Sequence, residues 1–498
     1  MKKALLFISI IIIPALLSAQ QDLGQINVSK WKLFSVGNNK QLKKIDDSTM
    51  YAYYRTSLDE SGIMIFDKSM KVTRDIPLEL TKNKKIVFSA KAFAQVASFP
   101  YTFYRPDARA VVIVAAQKND KKDYSVVGIT YSIDGAGLLD VQELAKASSD
   151  DFIIRYSENE AYMLVAELTK KQKGKGYTVI YNVFDKECQK VYSAEGDLLK
   201  GGDNYFRLLN TGELIHYSIK EEGRKITYLF TKFDASGTSV TAAFAPPKTD
   251  IYNYDGFSIT KTDNGEFFAS CMKYRTKAEG LAILKIDFEN KTVKKITDKN
   301  FDKPGLAKLN AVKTKSIAMV GKKLEPVKDF SSYSIYTCSA DNENIYLVLE
   351  DFYSKTVTSK TGTRITYGSD GLIVACYSHD GKEKWIAPIK RRARHHDTDI
   401  NLFNGNGRSI AISSYETSED FCFLVKSQDK TYYTKVNKKT GKDIEPVLLL
   451  DDKSGYTNSN CMGWFDDDEV VVLSLKGTFV LSKDNFWLKG FRIGKIAI

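Results

Sequence analysis

A short strand, a polar turn and a second strand recur along nearly the whole chain. The strands are apolar and aromatic, and the turns are rich in Asp, Asn and Gly, which bond locally or tolerate positive φ. Eight copies occur, at 41–54, 101–116, 152–166, 205–218, 257–271, 333–349, 400–413 and 461–474. Their turns are anchored by Thr49, Arg109, Glu160, Glu213, Glu266, Asn344, Arg408 and Glu469. The anchors follow one another at about 50 to 80 residues, which is a period of repeat proteins.

Each copy is followed by a second strand pair closed by Asp or Asn, as in VIYNVFDKECQKV and LAILKIDFENKTV. Four strands in about 50 residues is the period of a β-propeller blade. The pattern predicts an all-β chain with a single β-propeller of four-stranded blades, eight in number, with seven as the alternative. Two stacked β-sandwiches are the competing architecture. The ring is expected to close through residues 26–36 beside 478–483, or through 486–498 alone.

The first residues predict export. Lys2 and Lys3 precede an apolar stretch from Leu5 to Leu17, and a small-residue region ending at Ala19 follows it. This arrangement is typical of a signal peptide, since the apolar stretch is shorter than a bilayer span requires. We therefore expect a signal peptide at 1–19, a propeller at 20–498 and no transmembrane segment after cleavage. No cysteine lies near the cleavage site, so a lipoprotein is not expected, and the predicted location is the periplasm or the cell surface.

One repeat resembles a known family. The stretch YSHDGKEKWIAPI at 377–389 is similar to the repeat of quinoprotein-type propellers, in which an Asp-Gly-Lys turn precedes a Trp strand. The resemblance covers thirteen residues, and no stretch matches the calcium and cofactor ligands of the quinoprotein dehydrogenases. It therefore implies a propeller of the cofactor-free scaffold type, without a bound cofactor.

Two basic segments are the candidate binding regions. A Lys-rich insertion between blades is expected around 299–330, and it includes Lys313, Lys315, Lys322 and Lys323. The second is a predicted loop after the Trp385 strand, formed by Arg391, Arg392, Arg394, His395, His396, Asp397 and Asp399. Guanidinium groups bind carboxylates and phosphates in a forked geometry. Each segment is a candidate for an anionic partner, and an exposed, solubilising surface is the alternative for both.

Several chemistries lack support in the sequence. The chain has no GxSxG, HExxH, Walker or strand-linked GxGxxG motif, and only four histidines. The histidine and acidic residues of the second loop are permissible zinc ligands, but neighbours in an extended segment point in opposite directions. We predict no catalytic residues, no metal and no cofactor. The six cysteines lie mostly within apolar strands and are expected to be buried thiols rather than disulfides.

The combined expectation is an exported, non-catalytic propeller that binds a protein or cell-envelope partner as a scaffold. The alternative is a hydrolase or lyase that acts on an anionic glycan in the axial channel. Nucleic acid is not expected as a partner, because 73 basic against 61 acidic residues is a modest excess for 498 residues and export removes the usual target. An enzyme is expected to bring acidic, Arg or Tyr side chains from several blades to one end of the channel.

Overall fold

The computed structural model describes most of the chain between residues 24 and 497. The described residues are 24–34, 42–56, 61–69, 71–77, 85–86, 101–120, 123–135, 137–147, 152–157, 159–168, 177–198, 204–223, 225–247, 253–275, 278–300, 304, 307, 332–351, 353–359, 362–396, 412–427, 430–444, 446–451, 456–466, 469–475, 480–482 and 485–497. Their elements are 35 β-strands. Within this part of the chain, no helix has the length and hydropathy that a membrane span requires.

Consecutive strands pair antiparallel and divide the first half of the chain into four units that follow a leading strand, β1 (Gly24–Phe34). Unit 1 is β2 (Leu42–Asp46), β3 (Thr49–Thr56), β4 (Ser61–Phe66) and β5 (Val72–Pro77). Unit 2 follows β6 (Lys85–Ile86) and is β7 (Tyr101–Arg105), β8 (Ala110–Asp120), β9 (Asp123–Ser132) and β10 (Leu138–Ala147). Unit 3 is β11 (Phe152–Tyr156), β12 (Tyr162–Leu168), β13 (Tyr177–Asp185) and β14 (Lys190–Leu198). Unit 4 is β15 (Asn204–Leu208), β16 (Leu214–Glu222), β17 (Lys225–Phe233) and β18 (Ser239–Phe244).

The second half repeats the arrangement, with one extra strand in unit 6. Unit 5 is β19 (Asn253–Lys261), β20 (Phe267–Tyr274), β21 (Ala278–Asp287) and β22 (Thr292–Asn300). Unit 6 is β23 (Tyr333–Ala340), β24 (Asn344–Asp351), β26 (Gly362–Ser378) and β27 (Glu383–His396), with β25 (Tyr353–Ser359) beside β26. Unit 7 is β28 (Ile412–Glu416), β29 (Asp420–Ser427), β30 (Lys430–Asn437) and β31 (Val447–Asp451). Unit 8 is β32 (Tyr456–Asp466), β33 (Glu469–Leu475), β34 (Val480–Ser482) and β35 (Asn485–Ala497).

The predicted all-β propeller is confirmed, but its sheets are not eight separate blades. The strands form five blade sheets and one nine-stranded, nearly barrel-like sheet, arranged in a ring. Units 4 and 5 share one eight-stranded sheet, because β18 meets β22 through the parallel pair Ala243↔Thr292. Units 1 and 8 share the nine-stranded sheet. The number of repeats in the sequence therefore equals the number of strand units. The number of sheets is smaller because hydrogen bonds join neighbouring units into shared sheets.

The two ends of the chain meet in the nine-stranded sheet. β1 pairs with β35 on one side, through Gly24↔Ile493 and Gln25↔Arg492, and with β3 on the other. The segment 486–498 thus completes unit 8, and the N-terminal strand adds to it instead of to 478–483. The N-terminal strand links the last unit to the first.

Left-handed residues in the turns account for the glycines in the signature of the repeats. The turn after the first strand carries positive φ at Arg109, Glu160, Gly212 and Gly265 in units 2 to 5. In each, the left-handed residue donates its N–H to the carbonyl three residues earlier, as from Gly265 to Thr262 at 3.0 Å. Glycine takes this conformation without the steric cost that other residues have.

The turn that the structure describes in unit 7 lies after Arg408, the anchor predicted for the seventh copy. Arg408 lies outside the described residues, and the turn after the first strand of unit 7 is formed by Thr417–Glu419, between β28 and β29. There Thr417 accepts the N–H of Asp420 on Oγ1 at 2.9 Å. The Asn and Gly residues at 404–407 are more typical of a tight turn than Thr-Ser-Glu at 417–419, and the sequence therefore favours the earlier position. Thr side chains also close such turns.

The hydrophobic core lies between adjacent units. One cluster joins units 2 and 3 around Phe103 and Phe184, and another joins units 4 and 5 around Phe230 and Phe257. Further clusters join units 3 and 4, units 5 and 6, and units 6 and 7. In the second cluster, Phe230 and Phe257 meet edge to face at 5.2 Å. The Tyr and Phe residues of the strands therefore pack unit against unit.

A hydrogen bond from the fourth strand of one unit to the outer turn of the next recurs around the ring. Gln142 donates to the carbonyl of Cys188 at 2.9 Å, Thr297 to that of Gly381 at 2.7 Å, and Trp385 to that of Lys438 at 3.0 Å. Arg74 donates likewise to the carbonyl of Ile133. Only one of these donors is Trp, which explains why one repeat alone resembles the quinoprotein pattern.

Candidate functional site: an axial cavity

At one end of the ring, the first strands of units 1, 2, 4, 5, 6 and 7 enclose an axial cavity of about 1190 Å³. Its wall is formed by the ends of β2, β7, β15, β19, β23 and β28, together with the turn after β11. The turns that follow the first strands form the rim of this cavity, and we call them the rim turns. The volume is somewhat larger than the usual range of ligand pockets, which is about 300 to 1,000 Å³.

The cavity wall carries more positive than negative side chains. The basic lining residues are Lys43, Lys44, Lys186, Arg207, Lys261 and Lys438, and the acidic ones are Glu160, Asp263 and Glu416. They belong to units 1, 3, 4, 5 and 7 or to the turns between their strands, so no single segment supplies the charge. The excess of cations in a concave site attracts anions.

Lys43 is the most buried cation of the wall, with 9% of its side chain exposed. Its Nζ donates to Glu160 Oε2 at 2.7 Å and to the carbonyl oxygen of Thr102, so it joins units 1, 2 and 3. Tyr51 lies opposite Lys43 in the β2–β3 register and is buried. Burial, assisted by the charge of Glu160, raises the pKa of Tyr51 well above its usual value, which makes this phenol a poor base.

The rim turns are joined from unit to unit by polar contacts. Asn159 of unit 3 donates its backbone N–H to Asn210 Oδ1 of unit 4 at 2.9 Å. Lys261 of unit 5 contacts Glu213 of unit 4 at 2.5 Å. Ser339 of unit 6 donates to Glu416 Oε1 of unit 7 at 3.0 Å. The rim turns of units 3, 4 and 5, and those of units 6 and 7, are therefore joined by polar contacts beside the cavity.

Glu416 also binds Lys438 within unit 7. The Lys438 Nζ lies 2.7 Å from Glu416 Oε1 and donates to the carbonyl of Thr417 at 2.6 Å. The same ammonium lies 5.1 Å from the centre of the Phe421 ring. These contacts fix the direction of the lysine, because a charged head that is bound on several sides has few other rotamers.

Of the sequence-predicted binding residues, five are described by their backbone alone and the others lie outside the described part of the chain. The backbone of Arg391, Arg392, Arg394, His395 and His396 belongs to β27, so the predicted loop is wrong for these residues. They extend the strand because β26 is long enough to pair with them, as in Gly368↔Arg394 and Thr366↔His396. Their role in binding stays a prediction. Asp397, Asp399, Lys313, Lys315, Lys322 and Lys323 lie outside the described residues.

The cavity residues had a signal in the sequence that the search for motifs missed. A basic residue stands near the end of the first strand in several copies, as Lys44, Arg105, Arg155, Arg207 and Lys261. Such a position is equivalent in each unit, and the ring brings equivalent positions together around one axis. An alignment of the repeats in register therefore identifies three of the cavity cations, Lys44, Arg207 and Lys261. A search for dense local clusters of charge does not.

The cysteine prediction is confirmed for the five residues whose side chains are described. Cys188, Cys271, Cys338, Cys376 and Cys422 are buried thiols. Burial raises the pKa of Cys188 and of Cys376 to about 12, so their thiols are protonated and unreactive at neutral pH. The side chain of Cys461 lies outside the described residues. Among described side chains, no three His, Cys, Asp or Glu residues cluster as metal ligands would.

The two histidines that are described with their side chains have different surroundings. His216 is buried and stacks on Phe206 at 4.8 Å, and this burial lowers the pKa of His216 to about 4. His379 lies on the rim side of unit 6, where it contacts Glu266 of unit 5. Neither residue lines the cavity.

The ring of small sheets with a polar axial cavity defines the chain as a β-propeller. No protein-family model and no curated protein matches it. Solved structures similar to it include the polysaccharide lyase Uly1, with 10% identity and a TM-score of 0.36 over 80% of this chain and 89% of that one. The WD40 domain of SCAP from fission yeast is also similar, with 8% identity and a TM-score of 0.34 over 95% of this chain and 98% of that one. A prolyl endopeptidase has 10% identity and a TM-score of 0.38 over 89% of this chain and 55% of that one. These scores carry no argument about activity.

Proposed function

We propose that this propeller is an exported, non-catalytic binding module whose anionic ligand, a component of the cell envelope, enters the axial cavity. The observation that supports the proposal is the convergence of basic side chains from several units on one cavity. Export is proposed from the sequence of residues 1–19.

The charged side chains of the cavity wall are largely bound to one another, which favours ligand binding over catalysis. Glu160 is bound to Lys43, and Glu416 to Lys438 and Ser339, so two of the three lining carboxylates are engaged by donors. A general acid or base requires a pKa suited to proton transfer, and Tyr51 is too strongly shifted upward to serve as a base. Among the described lining residues there is no histidine. The wall is built to hold a charged ligand by preformed donors.

A glycan is the ligand that the size and composition of the cavity fit best. Sugars require many polar contacts and benefit from aromatic surfaces, and half-buried Tyr104 and Tyr415 stand in the wall beside the amide of Asn210 and the hydroxyl of Thr211. A carboxylate or sulfate on the glycan would meet the lysine and arginine side chains. The cavity accommodates a short oligosaccharide.

Calorimetric titration tests the binding proposal. The probe is a galacturonate tetrasaccharide, compared with a neutral galactose tetrasaccharide at two salt concentrations. We expect binding of the charged probe only, weakened by salt, and a loss of about tenfold or more in the Arg207→Glu variant. Lys225→Glu, an exposed change on the opposite turn of unit 4, is the matched control. Equal affinity of Arg207→Glu and Lys225→Glu for the charged probe would contradict the proposal.

A hydrolase or lyase acting on an anionic glycan is the second candidate. It is favoured by one observation: carboxylates from units 3, 5 and 7 and the tyrosines at 51, 104 and 415 meet in the same cavity. The same probe decides between the two. Intact tetrasaccharide after prolonged incubation supports binding, whereas shortened or unsaturated products would establish an enzyme.

A further inference from the structure

His379 lies between two hydrogen-bond acceptors that belong to different units. Its Nδ1 is 2.9 Å from Glu266 Oε2, at the start of β20 in unit 5. Its Nε2 is 3.0 Å from the carbonyl oxygen of Asp341, in the rim turn of unit 6. The centre of the His379 imidazole lies 4.8 Å from the centre of the Phe268 ring. The His379 side chain is largely buried.

Only the charged form of His379 satisfies both contacts. A backbone carbonyl accepts and never donates, and an ionised carboxylate also only accepts. A neutral imidazole has one N–H and can therefore make one of the two bonds, whereas the imidazolium has two. We propose that His379 is a proton-controlled latch that holds the rim turns of units 5 and 6 together when it is charged and releases one of them when it is neutral.

The groups that face the imidazole carry charges of both signs. Glu266 is the direct partner, and Lys285 binds the other oxygen of the same carboxylate. That ammonium first, and the imidazole with it, hold the pKa of Glu266 below its usual value, so the carboxylate stays an acceptor. From unit 6, the Asp341 carboxylate accepts from the Tyr346 hydroxyl at 2.8 Å. Asp380, next in sequence, is bound by Lys382 at 3.1 Å.

The latch lies close to the cavity wall. Thr262 and Asp263, which line the cavity, belong to the same turn as Glu266. In this turn Asn264 donates its backbone N–H to Asn342 Oδ1 of unit 6 at 3.2 Å. Loss of the proton from His379 therefore loosens a contact that borders the ligand site, whatever the ligand is. The Asn264 amide is a direct reporter of this contact.

Hydrogen exchange measured by mass spectrometry on peptides that contain the Asn264 amide tests the latch. Rates are corrected for the intrinsic effect of pH and compared at about pH 5.5 and about pH 8, a range that spans the pKa of free histidine. In the wild type we expect protection to fall about tenfold at the higher pH, which corresponds to the loss of one charge-assisted hydrogen bond. In His379→Gln we expect low protection at both values. His216→Gln, which removes a distant histidine, is the control and keeps the wild-type response.

Glu266→Gln supplies an independent test, since it keeps the size of the side chain and removes the charge that holds the imidazolium. The transition in protection is expected at lower pH than in the wild type. The ¹⁵N signals of His379 should show both ring nitrogens protonated below the transition and one above it. Protection that does not change with pH in the wild type, or a transition that Glu266→Gln leaves in place, would overturn the proposal.

Discussion

At the scale of single residues, the conformation of the rim turns depends on left-handed positions that glycine takes without strain. Gly265 has φ +85°, and an added Cβ would meet nothing within 4 Å. Gly265→Ala therefore isolates the backbone cost and should lower the free energy of unfolding by about 1 kcal/mol. Chemical denaturation of the wild type and the variant measures this difference in the free energy of unfolding.

Lys291 provides the matched control in the same unit. It is exposed and has φ +56° as a non-glycine residue. Lys291→Gly relieves backbone strain in the folded state but gives the unfolded chain more conformational freedom. The free energy of unfolding should therefore change by no more than about 0.5 kcal/mol. A Gly265→Ala variant as stable as the wild type would show that the turn does not hold this conformation.

The buried imidazole of His216 makes stability depend on pH. Its pKa is about 4 in the folded protein because burial disfavours the charged form, whereas a free histidine has a pKa of 6.5. The unfolded chain thus binds a proton more readily between these values, and the folded state loses stability as pH falls from 6.5 toward 4. Between pH 7 and pH 4 this group should cost roughly 3 kcal/mol.

His216→Phe should remove that dependence and keep the stacking on Phe206. The measurement is the free energy of unfolding of both proteins at several pH values. The difference between the two curves isolates this residue from His379 and from the carboxylates, which are common to both. Parallel curves from pH 7 to pH 4 would be inconsistent with a buried, neutral His216.

At the scale of elements, contacts between the fourth strand of one unit and the outer turn of the next stabilise the ring. The Trp385 indole donates to the carbonyl of Lys438 and lies against the backbone of Gly441, where an added Cβ would approach the ring to 2.5 Å. Trp385→Phe should cost about 1 kcal/mol for the hydrogen bond and some packing.

A double-mutant cycle shows whether these residues act together. Gly441→Ala should destabilise the wild type through the clash and through its positive φ of 66°. In a Trp385→Ala background the clash is absent, so the second change should cost at least 1 kcal/mol less. Additive free energies of unfolding would mean that the two units do not meet at this point.

Sequence reasoning found the strand units because each is local. Strand, turn and strand lie within a few residues of one another, and positive φ favours Gly. The sequence predicts a loop at residues 391–396 because they follow the Trp385 strand, whereas their strand depends on the length of β26, which pairs with them through residues 366–369. The cavity cations, such as Lys43 and Lys438, are far apart in sequence and meet only because the ring closes.

At the scale of the whole molecule, the pairing of β1 with β35 closes the ring. Gln25 and Arg492 face each other in the register, so cysteines at these two positions should form an intramolecular disulfide. The cross-link should raise the melting temperature, because it restricts the unfolded chain across almost its full length. The measurement is electrophoretic mobility without reductant, followed by thermal unfolding.

The control places the second cysteine at Ile496, which pairs with Val470 in the register and lies four residues from Arg492. Cysteines at Gln25 and Ile496 should stay reduced under the same conditions. Efficient oxidation of this second pair, or none of the first, would contradict the closure.

The location of the ligand is the central claim, and hydrogen exchange with and without the charged tetrasaccharide tests it most directly. We predict slower exchange at the rim turns, at 159–161, 210–211 and 262–263, with no change in the outer strands β5 and β14. These rim residues line the cavity, and the outer strands are remote from the axis. Slower exchange confined to the outer strands, or to β27, would place the ligand elsewhere and contradict the account.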